Sequence, residues 1–540
     1  MADTRMNPRE PIHEKYTKPP VNASMKAGNK EKPDAPANLE AGVHQDETVE
    51  GESVHGEDIY LHGLPLVLMI LSLMVGVLMI ALDNSIIATA IPKITSKFDS
   101  LGDVAWYASA YLLTQMSFQP TFGKIYTFFN LKWVYLISSI IFEGGSILCA
   151  AAPSSAAFII GRAIAGLGAA GIFCGAMIII SKIVEMRKRP LLLAIISMLI
   201  DGEALGAVMA LIICFYYPLS LGEAPDSDHS LEEKILGLGL KSAVILAGTL
   251  ICLFLALQWG GTKHPWSDSR VWGCLVGFGL LLTLFVFIQI RQGEAALIRP
   301  RIISQRSVFL GCLFSALYQG AMTTQSYHLP FYFQAVKGVD PQTSGVDILP
   351  HGVTVTIATL ITGSIITWLG YYVPFMWAGS AIFTTGAGLL YTISQNTPTA
   401  RWFGYEVLAG AGFGIAIQIP IFAVQVVLGA GDIPLGTVLI ILSQALGGSV
   451  GLSISQNVFQ NSLRQRLKAI ADIDIQAVIA AGGTDLEHVV SADSLASVRD
   501  AFRYGISNAF LVSTALGGVA FLASIGMERR KIKSKKEGGE

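Results

Sequence analysis

Gly161-Arg162-Ala163-Ile164-Ala165-Gly166-Leu167-Gly168-Ala169-Ala170-Gly171 sets an arginine inside an apolar run long enough to cross hydrocarbon. A charge at the centre of a membrane helix costs roughly 2.5–3.5 kcal/mol even on the mildest insertion scale. An isolated lipid-facing helix gains nothing that offsets this, whereas a helix in a bundle with a wet interior does. Arg162 therefore marks either a pathway through a bundle or, more simply, a cap near the headgroups. Gly166 and Gly168, with alanines around them, let a second helix approach closely.

Composition agrees with a membrane protein. The chain has 540 residues, 52% of them apolar and 14% charged, with a mean hydropathy of +0.55. Soluble domains carry about 25% charged residues. A net charge of −2 gives no reason to expect a nucleic-acid partner. The six cysteines (Cys149, Cys174, Cys214, Cys252, Cys274 and Cys312) sit within or beside apolar runs without CxxC or Cys/His spacing. Neither a disulfide framework, a metal site nor a cofactor is expected. Residues 1–58 are polar and poor in aromatics, so the segment reads as a disordered cytosolic tail with no signal peptide. On such a tail the Asn22-Ala23-Ser24 sequon is silent.

Apolar runs able to span about 30 Å of hydrocarbon follow at 64–91, 104–126, 132–152, 157–180, 239–259, 271–291, 308–333, 346–368, 374–395, 402–428, 435–458 and 506–527. Basic residues set the orientation. Lys182, Arg187, Lys188 and Arg189 place the 181–190 loop in the cytosol. Arg291, Arg299, Arg301 and Arg306 do the same for 291–306, and Arg529 to Lys536 for the C-terminal tail. The 459–505 segment falls outside despite Arg464, Arg466 and Lys468.

Between the first two of those cytosolic loops the chain crosses an even number of times. The runs at 239–259 and 271–291 supply the crossings, so 191–217 contributes none or two. It is short for two full helices and carries Asp201-Gly202-Glu203 at its centre. A re-entrant hairpin turning at Gly202 satisfies the charge rule, provided its backbone lies against protein or water. A single span and an interfacial segment are the alternatives.

Asp83 lies near the outer end of the first run, and Glu143 lies in the third before Gly144-Gly145. Either one facing Arg162 would make a pair that titrates as a pathway opens and closes; a helix-end residue and a structural hydrogen bond are the simpler accounts. Glu406 stands near the end of its run, where a headgroup-level position is the simpler account. Amides recur as Gln115, Gln119, Gln319, Gln325, Gln418, Gln425, Gln444 and Gln456, and some must face inward. Gln319 and Gln325 share a run with Tyr318, Tyr327, His328, Tyr332 and Phe333, a mixture that suits an amphipathic organic solute better than an ion. The bland alternative is ordinary interhelical hydrogen bonding. No GxxxxGK[ST] loop is present, so energy would come from an ion gradient.

These residues resemble a known family, the fourteen-span drug:proton antiporters of the major facilitator superfamily, and within it the fungal exporters of toxins and drugs. Leu82-Asp83-Asn84-Ser85-Ile86-Ile87 with Ala90-Ile91-Pro92 is similar to the family's LDxTIxxxAxP motif. Arg162 to Gly171 is similar to RxxxGxGxA, whose arginine the family uses in proton coupling. Ala256 to Lys263, Pro330 to Gly338 and Gln444 to Gly448 have the look of the fungal subgroup. In the loop after the second run, Thr127 stands where the general family has an acid and Asn130 where it has a glycine. The GPxxGG motif of the fifth span appears as Gly202-Glu203-Ala204-Leu205-Gly206-Ala207, after which about twenty residues of the family pattern are missing.

The resemblance implies an all-α, multi-pass bundle of about 12–14 spans with the fifth and sixth truncated. Its parts are a tail (1–58), the first four spans (59–190), the truncated segment (191–217) and a cytosolic loop (218–238). Two additional spans (239–291), the C-terminal half (292–458), an extramembrane loop (459–505), a last span (506–528) and a basic tail (529–540) follow. It implies no enzyme but a monomeric secondary transporter that exports a hydrophobic or amphipathic small molecule against protons. The bilayer would be the plasma membrane or the vacuolar membrane. Proton coupling falls to Arg162, Asp83 and Glu143, and solute contact to Gln115, Gln319, Gln325, Tyr327 and His328. Gly166, Gly168, Gly202 and Gly206 are packing or hinge positions. A non-transporting sensor, or a defective transporter product lacking residues near 207, is the competing expectation.

Overall fold

The computed structural model describes residues 63–98, 104–184, 188–192, 237–260, 264–429, 431–471, 473–480 and 486–530. The expectations placed on residues 1–58, on Asp201, Gly202, Glu203 and Gly206, on most of 218–238 and on the end of the basic tail lie outside them. Four helices open the bundle: α1 (Leu64–Phe98), α2 (Val104–Phe128), α3 (Leu131–Ala150) and α4 (Ser155–Ile183). A pair follows, α5 (Leu240–Trp259) and α6 (Ser269–Gln292). The second half holds α7 (Arg306–Phe331), α8 (Pro341–Leu369), α9 (Val373–Tyr391), α10 (Thr399–Ala416), α11 (Ile419–Val427), α12 (Ile433–Leu467) and α13 (Ala492–Ile525). Among the described residues no strand forms beyond an isolated bridge between Gly260 and His264.

Each apolar run falls on helix to within a few residues, and the ends are set by local chemistry. Asn130 caps α3 by accepting from the amides of Lys132 (3.0 Å) and Trp133 (3.4 Å), and Ser154 caps α4 by accepting from Ala157 (3.3 Å). Asp340 accepts from the amides of Gln342 and Thr343, with Pro341 supplying the first helical residue of α8. The run at 402–428 is two helices rather than one, because Pro420 near the start of α11 has no amide to continue the ladder of α10. Beyond Pro330, α7 passes into a π-helical turn (Tyr332–Lys337) that ends at Gly338 in the left-handed region, φ 72°.

Burial separates the interior helices from the lipid-facing ones. In α4, 78% of the most apolar window is buried, against 11% for the span that begins at Ser269, so α4 is central and α6 peripheral. In the first half α4 packs on α1, α2 and α3. In the second, α10 packs on α8 and α9, and α7 packs on α12 and α13. The α5–α6 pair leans on α2. The backbones of α7 and α12 touch where glycine permits it. A methyl at Gly447 would run into the Ala316 backbone, and one at Gly451 into that of Gly320.

The halves meet at the end of the bundle that carries the 291–306 loop. Gly123 near the end of α2 faces Val438 and Leu435 at the start of α12, where an added methyl would lie 3.2 Å from Val438 Cγ2. Lys124 Nζ donates to the carbonyls of Gly237 (2.9 Å) and Ala295 (2.7 Å), tying α2 to the segments flanking the α5–α6 pair. Asp432 accepts from Arg299 and from Arg301, each at 2.8 Å. Thr127, at the position of the family acid, only bonds back to the Gly123 carbonyl of its own helix. Lys124 is therefore the tie between the halves, and Asp432 fastens the segment just after Ala295 to the start of α12 within the second half. Partly exposed ion pairs contribute at most about 1 kcal/mol each. Asp432→Asn is expected to raise maleimide labelling of a cysteine placed at Val438 roughly two- to fivefold. Unchanged labelling would show that Asp432 does not hold this face shut.

At the opposite end, α12 and α13 run past the length a bilayer needs. Their extensions and two short helices (Ile475–Ala480 and Leu486–Val489) enclose Leu463, Leu467, Val478, Leu486, Val498 and Phe502. Arg466 stands over the Tyr504 ring, 4.1 Å from its centroid. The basic residues of 459–505 thus sit partly on helix extensions packed against one another.

Candidate functional site

Arg162 lies two turns into α4 and is 1% exposed. Its Nη1 donates to the Asp83 carboxylate from α1, and its Nε donates to the Tyr107 carbonyl at 2.9 Å. The guanidinium carbon stands 4.3 Å from the centroid of the Tyr111 ring, a cation–π contact. Tyr107 is itself held by Ser155 Oγ (3.0 Å) and by the edge of Phe158. Two residues of α2 and one of α1 thus enclose the charge, and Asp83 keeps 18% of its side chain exposed. The simple account of Arg162 as a headgroup cap does not fit a buried side chain with three partners. Glu143 is half-buried on α3, and no ion pair or hydrogen bond joins it to Arg162 or Asp83.

The packing positions fall on the same helix. A methyl at Gly166 would meet the Tyr111 carbonyl and the Thr114 hydroxyl, and one at Gly168 would meet the Phe142 backbone. These two glycines let α2 and α3 close on α4 on either side of Arg162.

A cavity of about 520 Å³ lies between the two halves, within the usual range for small-molecule sites of about 300–1,000 Å³. Gln115 and Gln119 of α2, Gln319 of α7, Gln418, and Gln444 of α12 supply its amides, and Thr323, Thr356, Thr359 and Ser449 its hydroxyls. Phe173 and Met177 of α4, Met116, Phe413, Ile417 and Ile421 supply apolar wall. No charged side chain lines it among the described residues. Gln444 donates to the Ile417 carbonyl at 3.4 Å, whereas Gln119 Oε1 is buried without a hydrogen-bond partner among the described residues.

Of the residues expected to touch solute, Gln115 and Gln319 line this cavity and Gln325, Tyr327 and His328 do not. The reason is angular. An α-helix turns about 100° per residue, so Gln325 points away from the face that carries Gln319 and Thr323. Gln325 donates to Ser513 Oγ of α13 at 3.0 Å. His328 is fully buried, bonded to the Thr324 carbonyl at 2.8 Å and packed on Phe459. Tyr327 is 40% exposed and packs at a tilt against Phe331. Gln119, named among the recurring amides but not among the solute contacts, and Thr323, which sequence reasoning passed over, stand four positions beyond Gln115 and Gln319. That spacing places them on the same helix face.

Gln119→Leu removes the free acceptor and is expected to raise the KM of a solute carrying a hydroxyl donor roughly threefold to tenfold. An unchanged KM in concentration-dependent export would show that Gln119 does not touch the solute.

Residues 73–452 match the family described as the Major Facilitator Superfamily. The chain belongs to the Major Facilitator Superfamily. It is 40% identical over 524 residues to the MFS-type transporter ltbE of Aspergillus luteorubrus, covering 92% of this chain and 96% of that protein. It is 38% identical to the rubrofusarin-specific efflux pump aurT of Gibberella zeae, covering 88% and 92%. The same identity holds to the MFS-type efflux pump MFS1 of Arthroderma benhamiae, covering 88% and 94%. The fold is also that of the proton:xylose symporter XylE, with a TM-score of 0.52, 12% identity and coverage of 85% and 94%. The human organic anion transporter MFSD10 gives a TM-score of 0.51, 14% identity and coverage of 85% and 97%. This superfamily member is thus a multi-pass membrane transporter and not an enzyme.

Proposed function

We propose that this transporter exports an uncharged amphipathic small molecule in exchange for protons across the plasma membrane, working as a monomer. The observation that carries the reading is the buried Arg162–Asp83 pair in a bundle that also holds an uncharged, amide-lined cavity shared by both halves. Asp83 is the group that takes up the proton, since it alone of the pair keeps contact with water and can become neutral. Arg162 holds that carboxylate in place and, once the proton arrives, keeps its own bonds to Tyr107 and Tyr111. Glu143 stays a candidate for relaying the proton on the α3 side. The efflux pumps among its relatives, aurT and MFS1, support the outward direction and a fungal metabolite as cargo.

Under this reading 59–190 form the first half, 292–458 with 506–528 the second, and 239–291 the added pair. The cavity amides orient the solute while Phe173, Met177 and Phe413 hold its apolar body. Alternating access then follows from rocking of the halves about the cavity. The test is export of Nile red from vesicles holding the purified full chain under an imposed pH gradient. Export should fall to the passive leak when a protonophore is added. Full-rate export without a gradient would overturn proton coupling.

A further inference from the structure

Constant shifts in residue number superimpose the surroundings of α4 on those of α10. A shift of 244 carries Gly166 onto Gly410, Gly168 onto Gly412, and the cavity residues Phe173 and Met177 onto Ile417 and Ile421. The close contacts repeat as well. Gly168 abuts the Phe142 backbone as Gly412 abuts that of Phe383, and Gly166 abuts the Tyr111 carbonyl as Gly410 abuts that of His351. From α2 to α8 the shift is 240, carrying cavity residues Gln115, Met116 and Gln119 onto Val355, Thr356 and Thr359.

The same shifts place Glu406 at the position of Arg162, His351 at that of Tyr111 and Asp347 at that of Tyr107. Glu406 is fully buried, and neither of its carboxyl oxygens has a hydrogen-bond partner among the described residues. This corrects the expectation of a headgroup-level side chain. His351 Nδ1 donates to the Glu406 backbone carbonyl at 3.3 Å, and its Nε2 lies 3.2 Å from Met322 Sδ. Asp347 of α8 and Tyr332 of the π-helical turn lie within electrostatic reach of the carboxyl. Asp347 in turn feels Lys337, whose Nζ donates to the Thr397 carbonyl. The other helix packed on α10 is α9, which carries no acid or base besides Tyr391, an exposed side chain. Arg401 of α10 itself is exposed.

We propose that Glu406 is a second proton-carrying carboxyl, the counterpart in the second half of the Arg162–Asp83 site. A carboxylate sealed from water without a cation or donor is too costly to keep, so the sealed state holds the neutral acid. When the pathway opens, water reaches the carboxyl, the O–H bond breaks and the proton leaves as hydronium, giving a carboxylate that water solvates. Among the described residues no cation stands against Glu406, whereas Asp83 has Arg162 beside it. The two sites therefore exchange protons at different stages of one cycle. This role rests on the proton coupling proposed above, whereas the proton held by Glu406 can be detected without transport.

The test uses the full chain reconstituted in lipid. Infrared spectra of the wild type should show a carboxylic-acid C=O band above the amide region at neutral pH that Glu406→Gln removes and Asp83→Asn does not. In the vesicle assay the steady-state Nile red gradient should change about a hundredfold per imposed pH unit with two protons per turnover, and about tenfold with one. Glu406→Gln is expected to move the wild type from the first slope to the second. Glu406→Asp, which keeps an acid, should retain the wild-type slope. A band unaffected by Glu406→Gln, or equal slopes in wild type and Glu406→Gln, overturns the assignment while leaving proton coupling through Asp83 intact. A wild-type slope of zero overturns both.

Discussion

Arg162→Ala is expected to lower uphill export at least about a hundredfold and to reduce the thermal stability of the protein. Removing one member of a buried ion pair costs about 3–5 kcal/mol, because the other charge loses its compensation. The stability share should fall at the low end, since Asp83 retains 18% exposure and water can reach it. The transport share is larger, because the guanidinium holds three partners at once: the Asp83 carboxylate, the Tyr107 carbonyl and the Tyr111 ring. Arg162→Lys keeps the charge but has no planar fork to reach Asp83 and Tyr107 together, so an intermediate loss is expected. Asp83→Asn should leave dye-for-dye exchange intact while lowering the response of export to a pH gradient from that of two protons per turnover to that of one. Uphill export at the wild-type rate by folded Arg162→Ala would remove Arg162 from the coupling machinery.

Gly168→Val is expected to prevent accumulation of folded protein. The added branches would enter the backbone of Phe142, and backbone cannot give way as the end of a flexible side chain can. Overpacking costs about 1–3 kcal/mol where neighbours can shift, and more where two helix backbones are already in contact. Gly144→Val is the matched control on the facing helix, since an added methyl there meets nothing within 4 Å. Size-exclusion profiles should show a monodisperse peak for the control and aggregate for Gly168→Val. Equal profiles would mean that α3 and α4 can separate at this point without penalty.

Much of the bundle is legible in the chain because hydrocarbon demands long apolar runs and tolerates few exceptions. Arg162 and Asp83 stand out for the same reason, as charges where charges are expensive. Hydropathy does not see what happens at the ends of those runs. It stops at Phe333 although the helix continues as a π turn to Lys337, and it joins α10 to α11 across Pro420. Nor does it see rotation about the helix axis, so Gln325 and His328 looked equivalent to Gln319 although they point at α13 and α12. Glu406 was obscured in another way. Its distance from the end of the run suggests headgroups, and only the packing of α8 and α9 around it reveals that no water reaches it.

The length of α12 has a mechanical consequence. At 35 residues it is a rod of about 52 Å, and the glycines that press it onto α7 at Ala316 and Gly320 lie near its midpoint. Contact of that kind acts as a fulcrum, because the backbones can roll there without first separating. A tilt of about 10° about it would swing each end by roughly 4–5 Å in opposite directions. Asp432 rides one end and the Leu463–Phe502 packing rides the other. Releasing the Asp432 end would thus press the opposite end home, and a single lever can serve both doors.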